Sequence, residues 1–374
     1  MSAIYIHIPY CSQKCSYCNF HFTTNMQTKS LMIKAIIKEI QMQRKYLKNI
    51  NLNSIYIGGG TPSILSKEDI NNILNEINKW FNFSKKTEIT FECNPEDLNK
   101  NKLSEIKNSG INRLSVGIQS FSNNDLKFMN RSHDANQAKY CIKKAQDIGI
   151  DNISIDLIYS LPNQNKGQWE KNIKTGLELS IKHMSCYSLT IEKNTKLFHL
   201  IKKKEISELD EEISYKQYKM LIDCMKKNDF IHYEISNFCM PGYHSIHNSN
   251  YWKEKEYLGI GPSAHSFNTE SRQWNVSNNQ KYISEILKNK IPYTKETLSN
   301  KEKYNEHILS SLRTKWGLNL NQLKYYCSST QHNIALKKIK KWRQSNHIKY
   351  QKGYIILTDK GKFISNYIFT DLFI

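Results

Sequence analysis

A chain of 374 residues is long enough for one large core with a smaller appended domain. Lysine and arginine number 54 against 34 acidic residues, a formal charge of +20, which raises nucleic acid as a partner. The bases, however, are mostly lysines scattered among Asn and Ile, with no arginine-rich tract and no low-complexity tail, so the charge suits small anions or an acidic electron donor equally well. Nine cysteines, an odd number with no signal peptide ahead of them, argue against a disulfide framework and for a reducing cytoplasm. No apolar run approaches the ~20 residues of a transmembrane helix.

Ala3 to Ile8 reads as a short strand and leads into Cys11, Cys15 and Cys18, three thiols inside eight residues. Gaps of three and then two residues let the thiolates converge from one tight loop, as an iron–sulfur cube or a zinc ion requires. A structural zinc site wants four ligands, and with no second Cys-x-x-Cys pair in the chain His7 or His21 would have to complete it. Cys15 to Cys18 alone could be a thioredoxin-like redox pair. Three thiolates on a four-iron cube leave one iron open to chelate a small molecule. Cys93, Cys141, Cys186, Cys224, Cys239 and Cys327 read as buried small hydrophobes.

The spacing of Leu31, Ile36, Ile40 and Leu47 predicts a helix over Thr28 to Lys48. The unit then repeats. Ser54–Ile57 is a strand followed by Gly58-Gly59-Gly60-Thr61-Pro62, and Ser66, with Asp69 three positions on, caps a helix to about Phe81. Strands over Thr87–Glu92, Arg113–Ile118, Asn152–Ile158 and His183–Leu189 alternate with helices near Asn99–Asn108, Asn136–Ile148 and Trp169–Leu179. Six strand–helix units imply a parallel sheet with helices outside, because parallel neighbours need crossover connections, and an open six-stranded partial barrel is the natural closed form. Polar residues mark the C-terminal end of each strand in turn: the three cysteines, the glycine turn, Glu92, Gln119, Asp156 and Thr190. That rim is where parallel α/β barrels bind ligands.

The cysteine spacing, with aromatic Tyr17 just before Cys18, resembles the signature of the radical S-adenosylmethionine (SAM) superfamily, in which the open iron binds the amino and carboxylate groups of SAM. The expected fold class is therefore α/β, a partial (β/α)6 TIM-type barrel. The glycine turn resembles that superfamily's motif for the SAM amino group, and Glu92, Gln119, Arg131 and Asp156 resemble residues that hold the methionyl and ribose parts in its porphyrin branch. The resemblance assigns Cys11, Cys15 and Cys18 to a [4Fe-4S] cluster. It assigns Tyr5, Tyr17, Gly59, Gly60, Thr61, Glu92, Gln119, Arg131, Asp156 and Thr190 to SAM. Taken singly, Arg131 could be a surface charge and Gln119 a strand cap.

Past Leu189 the repeats stop. A helix over Glu211–Lys227 precedes Tyr233-Glu234-Ile235-Ser236-Asn237-Phe238-Cys239, His247-Asn248-Ser249-Asn250-Tyr251-Trp252 and Gly259-Ile260-Gly261-Pro262-Ser263-Ala264-His265-Ser266. With Y-I-H-I-P-x-C at the start and S-I-D-L-I-Y-S-L-P at 154–162, these resemble the oxygen-independent coproporphyrinogen oxidase-like family over nearly the whole chain. One arm of that family carries a fourth cysteine, where this chain has Phe20, and a long extension ahead of the motif, where this chain has ten residues before Cys11. Both departures point to the other arm, the haem chaperones of the HemW type, whose proposed haem signature H-N-x-x-Y-W falls at 247–252. Neutral imidazole is a good iron ligand, and Tyr251 and Trp252 offer flat apolar surface for a porphyrin. His265 competes as ligand. Equally, His247 and Asn248 could satisfy a loop backbone while Tyr251 and Trp252 fill a domain interface.

From Thr297, helices over Lys303–Thr314, Leu320–Cys327 and Ile334–Gln344 and a hairpin of His347–Tyr350 with Tyr354–Leu357 suggest a winged-helix-like α+β module. Phe363, Tyr367, Ile368 and Leu372 form an apolar stripe expected to dock on the protein. The expected divisions are a barrel at 1–195, an extension with the haem motif at 196–296, and the module at 297–374. In the chaperone reading the chain accepts haem and passes it to an apo-haemoprotein at the membrane, with peripheral membrane contact. In the enzyme reading a reduced cluster cleaves SAM and the resulting radical abstracts hydrogen from a propionate of coproporphyrinogen III, which is then decarboxylated oxidatively. A reduced flavodoxin- or ferredoxin-type donor and a homodimer are further expectations. Action on RNA rests on charge alone, so nucleic acid is not expected as a partner.

Overall fold

The structure, a computed structural model, describes residues 1–162, 164–207 and 210–374. Six strand–helix units come first: β1 (Ser2–Ile8), α1 (Lys29–Met42), β2 (Leu52–Gly59), α2 (Lys67–Trp80), β3 (Glu88–Cys93), α3 (Lys100–Asn108), β4 (Arg113–Gln119), α4 (Asn123–Phe128), α5 (Ala135–Asp147), β5 (Ile153–Tyr159), α6 (Lys166–Glu178) and β6 (His183–Ser188). Strands β1 to β6 lie side by side in chain order, each parallel to the next, and form a partial (β/α)6 barrel. Period-two alternation gives the wall two unlike faces. Ile4, Ile6, Ile55, Ile57, Phe91, Leu114, Val116, Ile153, Ile155 and Met184 join Ile36, Ile40, Ile73 and Ile77 of α1 and α2 in one core between strands and helices. The intervening residues, among them Ser54, Tyr56, Glu88, Glu92, Arg113, Ser115, Asp156, His183 and Ser185, face the lumen. Helix α2 starts as its sequence predicts: Ser66 Oγ accepts from the Asp69 amide at 3.1 Å and the Asp69 carboxylate accepts from the Ser66 amide at 3.1 Å.

The sheet does not stop where the repeats stop. Beyond β6 follow α7 (Lys196–Lys202), α8 (Glu211–Lys227), β7 (Ile231–Glu234), β8 (Asn237–Cys239), α9 (Ile246–Trp252), β9 (Tyr257–Ile260), β10 (His265–Phe267), β11 (Ser271–Asn275), α10 (Asn279–Leu287) and β12 (Tyr293–Thr297). These strands extend both edges into a sheet of order β12-β11-β10-β9-β1-β2-β3-β4-β5-β6-β8-β7. Each is only three to five residues long, too short to show a period. Two expected helices are shorter than their patterns. Helix α1 ends at Met42, and the turn after it carries Leu47 back into the core.

The chain ends in α11 (Asn300–Leu312), α12 (Leu320–Leu323), α13 (Ser329–Gln344), the hairpin β13 (Ile348–Gln351) and β14 (Tyr354–Leu357), α14 (Asp359–Phe363) and α15 (Ser365–Leu372). Helix α12 cannot run on to Cys327, because Ser328 must turn out of helix to cap α13 in a reciprocal box with Gln331. A second core gathers Tyr304, Ile308, Leu312, Ile339, Ile348, Ile355, Ile368 and Leu372. The C-terminal stripe therefore splits: Ile368 and Leu372 are interior, whereas Phe363 packs on Tyr215 and Tyr218 of α8 at ring distances of 5.0 and 5.6 Å. Tyr367 remains 70% exposed.

Glu39 of α1 is wholly buried and ties the β9–β11 edge to the barrel. Its carboxylate accepts from the Gly261 amide at 2.8 Å, Asn275 Nδ2 at 2.7 Å and the Tyr282 hydroxyl. Replacing it leaves three buried donors without an acceptor, each worth about 1–3 kcal/mol. Glu39→Ala is therefore expected to lose about 3 kcal/mol or more of stability in urea unfolding, and Glu39→Gln, which keeps one acceptor oxygen, distinctly less.

Candidate functional site

The cysteine loop crosses the C-terminal ends of the barrel strands and is held by segments far along the chain. Its base is closed by two backbone bonds, Cys11 N to Thr23 O and Thr23 N to Pro9 O, both 3.0 Å. Its far side is pinned to the turn after α4. Ser16 N donates to Met129 O at 3.0 Å, Ser16 Oγ to Phe128 O at 3.1 Å, Gln13 Nε2 to Asn130 O at 3.0 Å and Asn130 Nδ2 to Lys14 O at 2.7 Å. Arg131, next in that turn, places Nη1 3.3 Å from Cys15 Sγ and Nη2 2.8 Å from both Asn94 Oδ1 and Gly117 O. Tyr17 is wedged among Leu126, Met129, Ile158, Leu189 and Leu197. Burial pushes the Cys11 thiol up to about 12. All three thiols open on one cavity of about 1300 Å³. They are not drawn to a single point: among the described residues no three His, Cys, Asp or Glu side chains stand close enough to share one metal ion. The two histidines that could have completed a zinc site are engaged elsewhere. His7 meets the Tyr5 hydroxyl through Nδ1 (3.1 Å) and His21 O through Nε2 (2.9 Å), and His21 Nε2 meets Asn279 Oδ1 at 2.7 Å.

The glycine turn packs directly under this loop. Gly60 donates to Ile8 O at 2.8 Å and Thr61 to Tyr10 O at 2.7 Å, and a Cβ on Gly60 would lie 2.5 Å from Tyr10 O. Gly59 adopts φ +111°, where a side chain is strained, and a Cβ there would strike the His7 ring at 2.7 Å. Its amide donates to Glu92 Oε2 at 3.0 Å, while Tyr56 donates to Glu92 Oε1 at 2.7 Å. Burial lifts the Glu92 carboxyl to about 7, against the Tyr56 bond and with the nearby Asp156 charge. Burial likewise lifts Asp156 to about 6, opposed by bonds from Ser185 and Ser115 and by the Arg113 charge. Gln119 ends β4 at a bulge with φ +66°, a conformation rare outside glycine and concentrated at functional sites.

Nine of the ten expected SAM residues line this cavity with the cysteines: Tyr17, Gly59, Gly60, Thr61, Glu92, Gln119, Arg131, Asp156 and Thr190. Tyr5 does not; it lies behind the turn with its hydroxyl on His7. The C-terminal helices reach over the mouth, since Lys362, Phe363 and Tyr367 line it too. The H-N-x-x-Y-W stretch is α9, and it sits at the opposite, N-terminal ends of the strands. The amides of Ile246 and His247 both donate to the Glu88 carboxylate at 2.9 Å, and His247 Nδ1 lies 3.1 Å from Ser54 Oγ. The His247 ring packs on Tyr56 at 5.1 Å, and burial, then the Arg113 charge, lower it to about 3, so it is neutral. Of the motif only Asn248 lines the cavity. Tyr251 is 46% exposed, and the Arg313 guanidinium lies 4.3 Å over Trp252. His265 stands apart on β10, exposed and stacked on Trp274. Sequence reasoning passed over Tyr56, Asn94, Arg113 and Arg313. The first and third had a signal, the alternation of polar with apolar residues along S-I-Y-I-G and R-L-S-V-G.

The profile of the radical SAM superfamily matches residues 5–175. A protein of Bacillus subtilis named heme chaperone HemW is 31% identical over 372 residues, covering 99% of this chain and 98% of that one. Its namesake in Lactococcus lactis is 34% identical over 75% of this chain and 74% of its own. Among solved structures, coproporphyrinogen III oxidase (HemN) of Escherichia coli superposes with a TM-score of 0.85 at 19% identity, over 99% of this chain and 89% of that one, which shows the shared fold. Radical SAM proteins carry a [4Fe-4S] cluster and SAM, and with 31% identity held from end to end the chain belongs to the HemW family of that superfamily.

Proposed function

We propose that the protein is a haem chaperone, holding a [4Fe-4S] cluster on Cys11, Cys15 and Cys18 with SAM beside it, and handing haem to an apo-haemoprotein. The observation that carries this reading is identity spread over the full length of a relative named for it. Local chemistry supports it. Three thiols on one loop, with no free histidine beside them among the described residues, suit a cube with one open iron, since His7 and His21 are engaged elsewhere. Arg131 is anchored at Asn94 and Gly117, and its Nε is buried with no hydrogen-bond partner among the described residues, so it has a donor to spare for a carboxylate such as that of SAM. Glu92 and Asp156 are suited to the ribose hydroxyls and to the cationic side of SAM. A reduced cluster held by Cys11, Cys15 and Cys18 would supply the electron for any SAM cleavage. For haem, Ser54 engages Nδ1 of a neutral His247, which leaves Nε2 as the ring nitrogen for iron. Tyr251 and Trp252 supply flat surface alongside.

The test is an anaerobic haem titration of the cluster-reconstituted protein followed by its Soret band. A saturable shift is expected, weakened about tenfold or more in His247→Ala. Absence of any shift, with protoporphyrinogen formed from coproporphyrinogen III instead, would assign the protein to the enzyme arm.

SAM binding should depend on pH through Glu92. Its raised carboxyl is protonated below about 7, and the neutral acid attracts a cationic ligand less. SAM affinity is therefore expected to rise with pH across 6 to 8 and then level. In Glu92→Gln isothermal titration should find weaker binding with most of that rise gone.

A further inference from the structure

The cavity, of about 1300 Å³, is lined along its whole depth and not only beside the cysteines. Its outer part lies against the cysteine loop. Its inner end runs down the lumen to Arg113, Asn248 and Arg313, and these residues have no part in the outer chemistry. Arg113 is 2% exposed. A guanidinium has five donors, and among the described residues this one has only Thr90 Oγ1 at 3.5 Å, with Nε lacking any hydrogen-bond partner. The nearest carboxylate, Glu88, stands off at 3.9 Å because its two oxygens already receive the first amides of α9. The lumen carboxylates balance the charge of Arg113, but its N–H donors stay largely unspent, and buried donors are costly until an acceptor joins them. Arg313 approaches from the other side. Its Nε is fixed to Glu234 at 2.8 Å and its plane rests on Trp252, which leaves the remaining N–H groups toward the cavity.

We infer that the inner end of the cavity is a carboxylate subsite, where Arg113 and Arg313 with Asn248 receive an acid group of a second ligand bound at the same time as SAM. The inference rests on the haem-chaperone reading for its ligand, the acid group then being a haem propionate. Paired N–H donors of arginine match the two oxygens of a carboxylate and are strongest where water is excluded. Glu92 and Asp156 lie between this subsite and the cysteine loop, so the cationic SAM on their side and the acid group on the other are each met by opposite charge. Asn248 is the residue through which α9 reaches the subsite, and Trp252 backs it from behind by carrying the Arg313 guanidinium on its ring.

The experiment compares haem with haem dimethyl ester, whose propionates cannot ionise, in Soret titrations of the full chain with its cluster reconstituted and SAM present. Wild type is expected to bind haem at least tenfold more tightly than the ester. Arg113→Gln and Arg313→Gln should each lose most of that preference while binding the ester as wild type does, and Arg313→Lys should recover part of it. If Arg113→Gln does not fold, Arg313→Gln decides alone, since its side chain is 23% exposed and lies at the cavity edge. Equal affinity of wild type for haem and ester, or an undiminished preference in Arg313→Gln, overturns the subsite and leaves haem binding standing. Failure of wild type to bind either ligand overturns both.

Discussion

Charge placed inside a barrel has to be answered by charge inside the barrel, and much of this protein follows from that. The lumen holds Glu88, Glu92 and Asp156, with Arg113 among them and Arg131 at the rim. Burial weakens the screening between them, and each carboxylate is met by a specific set of donors. Glu88 takes the first two amides of α9 and thereby fixes the helix that closes the lower end. Glu92 takes Tyr56 and the Gly59 amide and thereby fixes the glycine turn. One acid sets the floor and another sets the ledge under the cysteines. The helix that bears H-N-x-x-Y-W and the glycine turn are thus coupled through the two ends of one strand, β3.

The upper end works by close approach. Gly59 and Gly60 leave no room for side chains because His7 and the Tyr10 carbonyl already occupy it. The turn therefore belongs as much to the support of the cysteine loop as to any ligand. Arg131 links the two, since the same guanidinium touches Cys15 and the backbone at the end of β4. A shift in either the loop or β4 would be felt by the other at once.

Legibility in the sequence followed the length and regularity of each element. The six strand–helix units and the capping box at Ser66 could be read because each repeats a period over enough residues to stand out. Strands β7 to β12 could not, being three to five residues each and recognisable only by the edges they extend. Tyr5 and Tyr56 look alike in sequence, both one position out of phase with the isoleucines of their strands. Only tertiary structure shows that Tyr56 reaches Glu92 and the cavity whereas Tyr5 ends on His7. The H-N-x-x-Y-W stretch was conspicuous as a motif, but that it forms the floor of the lumen depends on Glu88 and Ser54, far earlier in the chain. Arg113 was visible as a charge in an apolar strand, the kind of local inconsistency that sequence reasoning should pursue.

The pins on the cysteine loop have a consequence for how the protein is made. Residues 13 to 16 are held by 128 to 130, and Ser16 O also receives the Leu197 amide. The thiols are thus synthesised more than a hundred residues before the segments that order them. Until β4 and its following turn have folded, the nascent chain presents three loose, oxidisable thiols. Cluster insertion that needs their final spacing must wait for at least the first four strand–helix units, and a chain arrested earlier would offer a metal only a flexible thiol tether.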